Sequence, residues 1–340
     1  MVSRSTVAIA LLAALAGFHP DAAAAATSHR SHGARAPAKK IPEWTPPPAS
    51  DPRLAGLPPV VGQPAAEMVG PDDTVLDIAW QHRLGFDRVA RLNPEVNVWI
   101  PDPGTVVRLP TEHILPDRPW HGLLINVPEM QLYDFTRIGA PEPEIFAIAI
   151  GDQMDPSLKG EYRVGQKREH PVWTVPASIR AEKPELPPTV PAGPDNPLGD
   201  HWMTIGNTTY GIHGTNNRWS IGREATHGCV RLYNDEMDKL YARTPTGTPI
   251  RLVYQTVKVG QRDGTIYVEA HPDIYQREPA DRAAVVLEKL AALGLADAVD
   301  ASLVRKAIDE GRGIPVPVGS AKPAASSGEP AGSSGGPAGT

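Results

Sequence analysis

The chain has 340 residues, a formal net charge of −6, 38 prolines and a single cysteine. Its Lys and Arg residues are scattered and form no stripe, so nucleic-acid binding has no electrostatic footing. One cysteine excludes an internal disulfide framework, and the length allows about two domains of roughly 100–200 residues each.

In chain order, residues 1–26 read as a secretory signal: Arg4, an apolar run from Val7 to Phe18, and an alanine-rich stretch ending at Ala26 that suits cleavage. That run is shorter than the roughly 20 residues of a membrane span, and no later stretch is long enough, so no transmembrane segment is expected. An exported protein follows, without the lipid-attachment cysteine of a lipoprotein. Residues 27–65, with "PEWTPPPAS" and "LPPVVGQP", read as a proline-rich linker. Residues 66–115 form a small α+β unit. Thr74 and Asp77 make a capping arrangement, with Leu76, Ala79 and Trp80 on one helical face. Phe86, Val89 and Ala90 repeat the pattern until Asn93-Pro94 stops it, and "PDPGT" turns into a strand over Val106 to Leu109.

Residues 119–256 carry many short β-rich runs, among them "HGLLINVP", "MQLYDF", "EIFAIAIG", "WMTIG" and "PIRLVY", separated by turn residues, so a mainly β sandwich or barrel is expected. Leu123, Ile125 and Val127 alternate with more polar neighbours as a half-buried strand would. Residues 235–243 are the clear helix of this domain, with Asp235 as cap and Met237, Leu240 and Tyr241 on one face. Residues 257–312 add one strand ("TIYVEAHPDIY") and a helical stretch, 279–310. Its stripe of Val286, Leu287, Leu290 and Leu293 is expected to pack on its own domain and not on a partner. Residues 313–340 read as a disordered tail.

The chemistry concentrates in "IHGTNNRWSIGREATHGCVRL", residues 212–232, which holds Cys229. A free cysteine is often a small apolar filler, but Thr226, His227, Gly228 and Arg231 are not core-filling company. His213, His227 and Cys229 do not close the four positions of structural zinc, so neither metal nor cofactor is expected. A thiol attacks as thiolate and needs an imidazole or positive neighbour to ionise. His227 shares a face with Cys229 only if the segment is extended, whereas His213 reaches it from another strand. Gly214 and Gly228 clear bulk beside both groups, and the amides around Gly228 and Cys229 can stabilise an oxyanion. The fork of Arg231 suits a carboxylate. A nucleophilic Cys229 is expected to alkylate unusually fast at neutral pH.

The pattern "IHGT" followed by "THGCVRL" resembles the signature of the L,D-transpeptidases, the YkuD-domain family, and "ILPDRPWHGLLINVPEMQLYDF" and "VPAGPDNPLG" extend the likeness. "DTVLDIA", "LNP" and "PGTVVRLP" resemble a LysM module, so residues 67–275 are similar to the LysM-bearing periplasmic branch of Gram-negative bacteria. The resemblance implies a β-sandwich catalytic domain after a LysM-like module, periplasmic localisation, and peptidoglycan stem peptides and glycan strands as partners. It implies that Cys229 attacks the bond between meso-diaminopimelate and D-alanine of a stem tetrapeptide, with His213 as general base and acid. Thr226, His227 and Gly228 would shape the oxyanion and backbone site, Arg231 would hold a donor carboxylate, and Gly214, Asn217 and Thr226 would line the substrate. The acceptor stays open: a diaminopimelate amine, the terminal lysine of an outer-membrane lipoprotein, or water, which would make a carboxypeptidase or crosslink hydrolase. A non-catalytic wall-binding protein is the alternative of another class.

Overall fold

The computed structural model describes residues 42–46, 48–49 and 52–321, so the expected signal at 1–26 and the residues after 321 lie outside the described residues. No helix among the described residues is long and apolar enough to cross a membrane.

The stretch expected as a linker is docked along its described part. The Trp44 amide donates to Trp120 O at 2.8 Å, and its ring stands edge-on to Trp120 at 5.6 Å. Leu54 and Leu57 are buried, and β1 (Val60–Val61) pairs with a later strand. Proline-rich composition argues against regular hydrogen bonding; it does not prevent the occasional Trp, Leu or Val from being buried.

A βααβ unit follows: β2 (Ala65–Met68), α1 (Val75–Gln81), α2 (Phe86–Leu92) and β3 (Val106–Leu109), with β2 and β3 antiparallel. The capping box is complete, with Thr74 Oγ1 accepting from Asp77 N and Asp77 Oδ2 from Thr74 N, both at 3.1 Å. The inner face of α1 is Val75, Ile78 and Ala79; Leu76 and Trp80, expected inside, are only half-buried. Asn93 ends α2 and ties it to β3 through three 2.8 Å hydrogen bonds, to Val89 O, Arg108 O and Arg108 N. The two-residue β4 (His113–Ile114) is the strand that β1 joins.

The central domain runs through β5 (Leu123–Asn126), β6 (Gln131–Asp134), β7 (Glu144–Ala147), β8 (Ile150–Gly151), β9 (Gly160–Glu169), β10 (Trp173–Thr174), α3 (Ala177–Glu182) and β11 (Thr189–Val190). It continues with β12 (His201–Ile205), β13 (Gly211–His213), β14 (Glu224–Thr226), β15 (Val230–Arg231), α4 (Asn234–Arg243) and β16 (Pro249–Val253). Eight of these strands form one sheet in the order β15-β13-β12-β9-β16-β5-β6-β7, parallel at β15/β13 and β16/β5 and antiparallel elsewhere. Leu123, Ile125, Leu132, Met203, Ile212 and Val230 pack with Met237 and Leu240 of α4. Leu124 and Tyr133 pack instead with Val61, Leu115, Trp120 and Phe135. Thus β5 is buried on both faces, not on alternate residues as expected, because the docked strap covers its outer side. Tyr233 occupies the N-cap position of α4, and Asp235 lies within the first turn.

Beyond residue 256 the expected single strand is a three-stranded sheet, β17 (Val257–Arg262), β18 (Thr265–Ala270) and β19 (Val316–Ser320), with α5 (Arg282–Ala292) and α6 (Ala301–Glu310) between the last two. The stretch expected to open a disordered tail at residue 313 therefore includes an ordered strand. β19 is an edge strand that tolerates Pro317 and buries Val318 completely. Val286 and Leu290 of α5 pack in the core of this layer with Val304, Ile308, Ile266 and Val268, while Leu287 and Leu293 lie against it partly buried. Leu54 and Leu57 of the strap complete that core.

Two junctions join these parts. In one, Arg88 of α2, His113 of β4, Glu129 and Tyr133 beside and on β6, Lys258 of β17, and Glu269 and His271 at the end of β18 are all buried together. Lys258 Nζ lies 3.2 Å from Glu269 and also pairs with Glu129. His271 Nε2 lies 2.9 Å from Glu269, and Tyr133 donates to Glu129. In the other, the α1–α2 corner meets the loop before β14. Gly85 and Gly222 touch backbone to backbone, and a Cβ on Gly222 would lie 2.2 Å from Gly85 Cα. Ile221, nearly fully buried, packs with Ala147, Ala149, Tyr233 and Trp80.

Candidate active site

The site lies at the β15 end of the large sheet. His213 on β13 is the register partner of Arg231 on β15, and of Trp202 on β12. Side chains alternate along a strand, so Trp202, His213 and Arg231 share one face, and Cys229, two residues before Arg231, lies within reach of its charge. Ile212 and Val230 point the other way into the core. The arrangement is a consequence of period-two geometry: burying the apolar set of two short strands presents imidazole and guanidinium together.

His213 is 3% exposed, and its ring stacks on Trp202 at 5.5 Å and 18°. Its Nδ1 lies 2.7 Å from Gly214 O. Burial is the main reason that the imidazole pKa falls from 6.5 to about 3; Arg231 adds to the fall, and the Gly214 and Leu198 backbone contacts oppose it. Cys229 is half-buried, and burial pushes the thiol up, against a backbone hydrogen bond with Gly211 and the nearby charge of Arg231. At neutral pH the resting site thus holds a neutral thiol and a neutral imidazole. Fast alkylation of the resting enzyme, expected from the motif, does not follow, because desolvation outweighs the positive neighbour.

Gly228 adopts φ +94°, and Tyr210 fills the space where a Cβ would stand, 2.4 Å from the ring. That left-handed residue turns the chain between His227 and Cys229, so the two side chains do not share a face. His227 points outward instead, its Nε2 3.2 Å from Glu182 Oε2 on α3. The turn decides what spacing left open, since His227 shares a face with the thiol only on an extended segment. The turn is held from behind: Thr226 Oγ1 donates to Cys229 O at 2.7 Å, and Ser157 Oγ donates to Gly228 O at 3.2 Å while accepting from Gly151 N. Tyr275 OH bridges Ser157 N and Gly151 O.

Arg231 is half-buried, its Nη1 donating to Ser220 Oγ at 3.1 Å, while its Nε is buried and unpartnered. Burial lowers its pKa from the ordinary guanidinium value, opposed by Cys229. Gly214 stands against Asn234 Oδ1, which accepts from Thr215 N at 2.7 Å. Asn217 is exposed and caps the short turn Arg218–Ser220, its Oδ1 accepting from Trp219 N. Both are thereby engaged in shaping the loop. Ser220, Trp202 and Tyr210 carry no sequence signal, since each reaches the site only through strand pairing or a turn. Asp155, Glu182 and His227 bring one ligand atom each within 4.8 Å of one another at the surface, the kind of group that binds cations; in the buried trio Glu129, Glu269 and His271, Lys258 already supplies the positive charge.

The sequence profile of the YkuD L,D-transpeptidase catalytic domain matches residues 121–252. The probable L,D-transpeptidase ErfK/SrfK of Salmonella typhimurium is 32% identical over 281 residues, 78% of this chain and 89% of that protein. The probable L,D-transpeptidase YcfS of Escherichia coli K12 is 32% identical over 290 residues, 81% of this chain and 88% of that protein. The probable L,D-transpeptidase YbiS of the same organism is 37% identical over 199 residues, 57% of this chain and 64% of its own, so the chain spans just under two thirds of that relative. A solved L,D-transpeptidase from Mycobacterium tuberculosis aligns at a TM-score of 0.30 and 13% identity over 59% of this chain and 95% of that one; family membership therefore rests on the sequence relatives.

Proposed function

The chain belongs to the L,D-transpeptidase family, and on that premise we propose that it is an exported, periplasmic enzyme that exchanges the terminal D-alanine of a peptidoglycan stem tetrapeptide for an amine. What supports this reading most is the register of His213 opposite Arg231 at the sheet end, with Cys229 two residues before Arg231. The Gly214 contact holds the proton of the neutral ring on Nδ1 and leaves Nε2 with a lone pair. His213 Nε2 takes the thiol proton as Sγ attacks the carbonyl carbon between diaminopimelate and D-alanine. The oxyanion lies by the amides of the Gly228–Cys229 turn. Collapse breaks the C–N bond, His213 gives its proton to the leaving amine, and a thioester remains. An acceptor amine then attacks the thioester, loses its proton to His213, and the sulfur leaves as thiolate and is reprotonated. No charge-separated resting pair is required: the thiol proton passes to His213 only as the carbon–sulfur bond forms. Arg231, with one free buried donor, holds a carboxylate of the donor.

The acceptor is a second diaminopimelate or the C-terminal lysine of an outer-membrane lipoprotein, and the βααβ unit follows the glycan strands as a LysM module. The mature protein mixed with a tetrapeptide ending in diaminopimelyl-D-alanine is expected to release D-alanine and to carry a transient covalent mass on Cys229. Cys229→Ala abolishes both, and His213→Ala slows acylation by about 10²- to 10⁴-fold. D-Alanine release persisting in Cys229→Ala overturns the mechanism. Offered a disaccharide tetrapeptide and, separately, a lysine-ended lipoprotein fragment, the enzyme should form an amine adduct; release with no adduct makes it a carboxypeptidase, and no release at all leaves a wall-binding protein.

A further inference from the structure

The βααβ unit does not merely precede the central domain; it is built into the wall of the site. From the α1–α2 corner, Phe86 N approaches Ile221 O at 3.4 Å, Leu84 O accepts from Tyr233 OH at 3.1 Å, and the backbones of Gly85 and Gly222 are in contact. Arg218 lies over both Trp80 and Trp219, at 3.8 and 4.2 Å from their ring centroids, and the guanidinium of Arg223 lies 4.3 Å from the ring centroid of Phe86. Besides Tyr233, Asp235, which pairs with Arg83, and Ala147 and Ala149, which pack with Trp80, these partners on the central domain come from residues 218–223. That loop also carries Ser220, 5% exposed, whose Oγ donates to Asn217 O at 2.7 Å and accepts from Arg231 Nη1 at 3.1 Å. With its proton committed to Asn217, the hydroxyl can only accept from Arg231, so the position of the loop sets the direction of the guanidinium. On its other side the backbone of Arg231 exchanges two hydrogen bonds with Ala149, which packs against Ile221.

We infer that Ser220 is a positioning residue for Arg231 and that the α1–α2 corner of the N-terminal unit, by clamping loop 218–223, tunes donor recognition at a site to which it contributes no reacting group. This rests on the reading of Arg231 as a carboxylate clamp. The alternative, a tether that only delivers the enzyme to the wall, would leave a small soluble donor indifferent to the corner.

The test uses the full mature chain and two soluble donors: the stem tetrapeptide with free carboxylates, and the same peptide with its terminal and diaminopimelate side-chain carboxylates amidated. D-Alanine or D-alaninamide release is followed as kcat and KM. Ser220→Ala is expected to raise KM for the free-acid donor about 10-fold, the usual worth of a hydrogen bond to a charged group, with kcat and the amidated donor nearly unchanged. Gly85→Ala, which places a methyl 2.9 Å from Gly222 Cα, is expected to give the same signature. Equal losses on both donors, or no loss on either, overturn the inference. Arg231→Ala in the same assay separates the two readings. If it keeps the wild-type preference for the free acid, the clamp itself is wrong; if it loses that preference while Ser220→Ala retains it, only the positioning role fails. Should Gly85→Ala not fold, Ser220→Ala against Arg231→Ala decides the positioning role and Trp80→Ala takes over the test of the corner.

Discussion

A thiol whose pKa is raised by burial and an imidazole that stays neutral down to about 3 make a definite pH signature. Alkylation by iodoacetamide reads thiolate alone, so its rate in the resting enzyme should climb with a midpoint above roughly 8.5, the free-cysteine value. Turnover reads the pair. Its kcat/KM on the free tetrapeptide should show no acid limb at the ordinary imidazole value of about 6.5 and stay level down to about pH 5; a limb at 6.5 that His213 controls would mean that the ring is not held dry. At this scale much of the site was legible. The thiol, His213 and Arg231 stand in a contiguous motif whose spacing brings them to adjacent strands. The side on which His227 emerges stayed open because a single left-handed residue, Gly228, decides it, and nothing in residue identity announces which glycine will turn. Ser220 and Trp202 are ordinary residues whose roles come from who pairs with whom.

Among the elements, the start of α1 was readable because a capping box is a local device, although Leu76 and Trp80 turned out only half-buried, while α4 was shifted: its cap position falls to Tyr233 although acidic residues follow it. Those acids have a consequence. Glu236 is 7% exposed, and burial foremost, with Asp235 adding to it, raises its pKa from 4.5 to about 8. The folded state keeps a proton that the unfolded chain gives up above 4.5, so this group favours folding at low pH and its contribution is lost as pH rises from 4.5 towards 8. Glu236→Gln, which mimics the protonated acid, should therefore stabilise the protein at pH 8 by ~1–3 kcal/mol and change little at pH 4.5, as thermal melting at the two values would record. An equal effect at both would show that the carboxyl is not held neutral. The strands of the central domain were visible as a class, yet their two-sided burial was not, since alternation reads one face and the strap that covers the other was taken for a linker.

Across the whole molecule, the buried junction of Arg88, His113, Glu129, Lys258, Glu269 and His271 ties three parts together. Burial above all, with Arg88 and Lys258 adding to it, holds His113 and His271 well below 6.5; for His271 the carboxylate of Glu129 pulls the other way. Both rings stay neutral in the fold while the unfolded chain protonates them below about 6.5, so their contribution is complete above that value and drains away as pH falls. Melting temperature should decline from pH 7 to pH 5, most cleanly in a Glu236→Gln background where the opposing carboxyl is gone; a flat profile there would exclude the two rings as the acid-sensitive element. No pattern in the sequence pointed to this junction, whose members lie on segments from residue 88 to residue 271 and meet only when the parts dock.

The strap that lends Leu54 and Leu57 to the core of the C-terminal layer has a consequence for how the chain comes into being. Those leucines leave the ribosome long before β17, β18, α5 and α6 exist, so two apolar side chains wait for partners that are made among the last. Loop closure over such a separation is slow, so the strap is seated among the last contacts to form. A chain stopped after Gln255 should therefore be more than a shortened enzyme: its strap, without a seat, should be cut by protease between residues 52 and 60 within the time that the full-length protein survives intact, and equal survival of the two would show that the strap finds its place without the layer that closes over it.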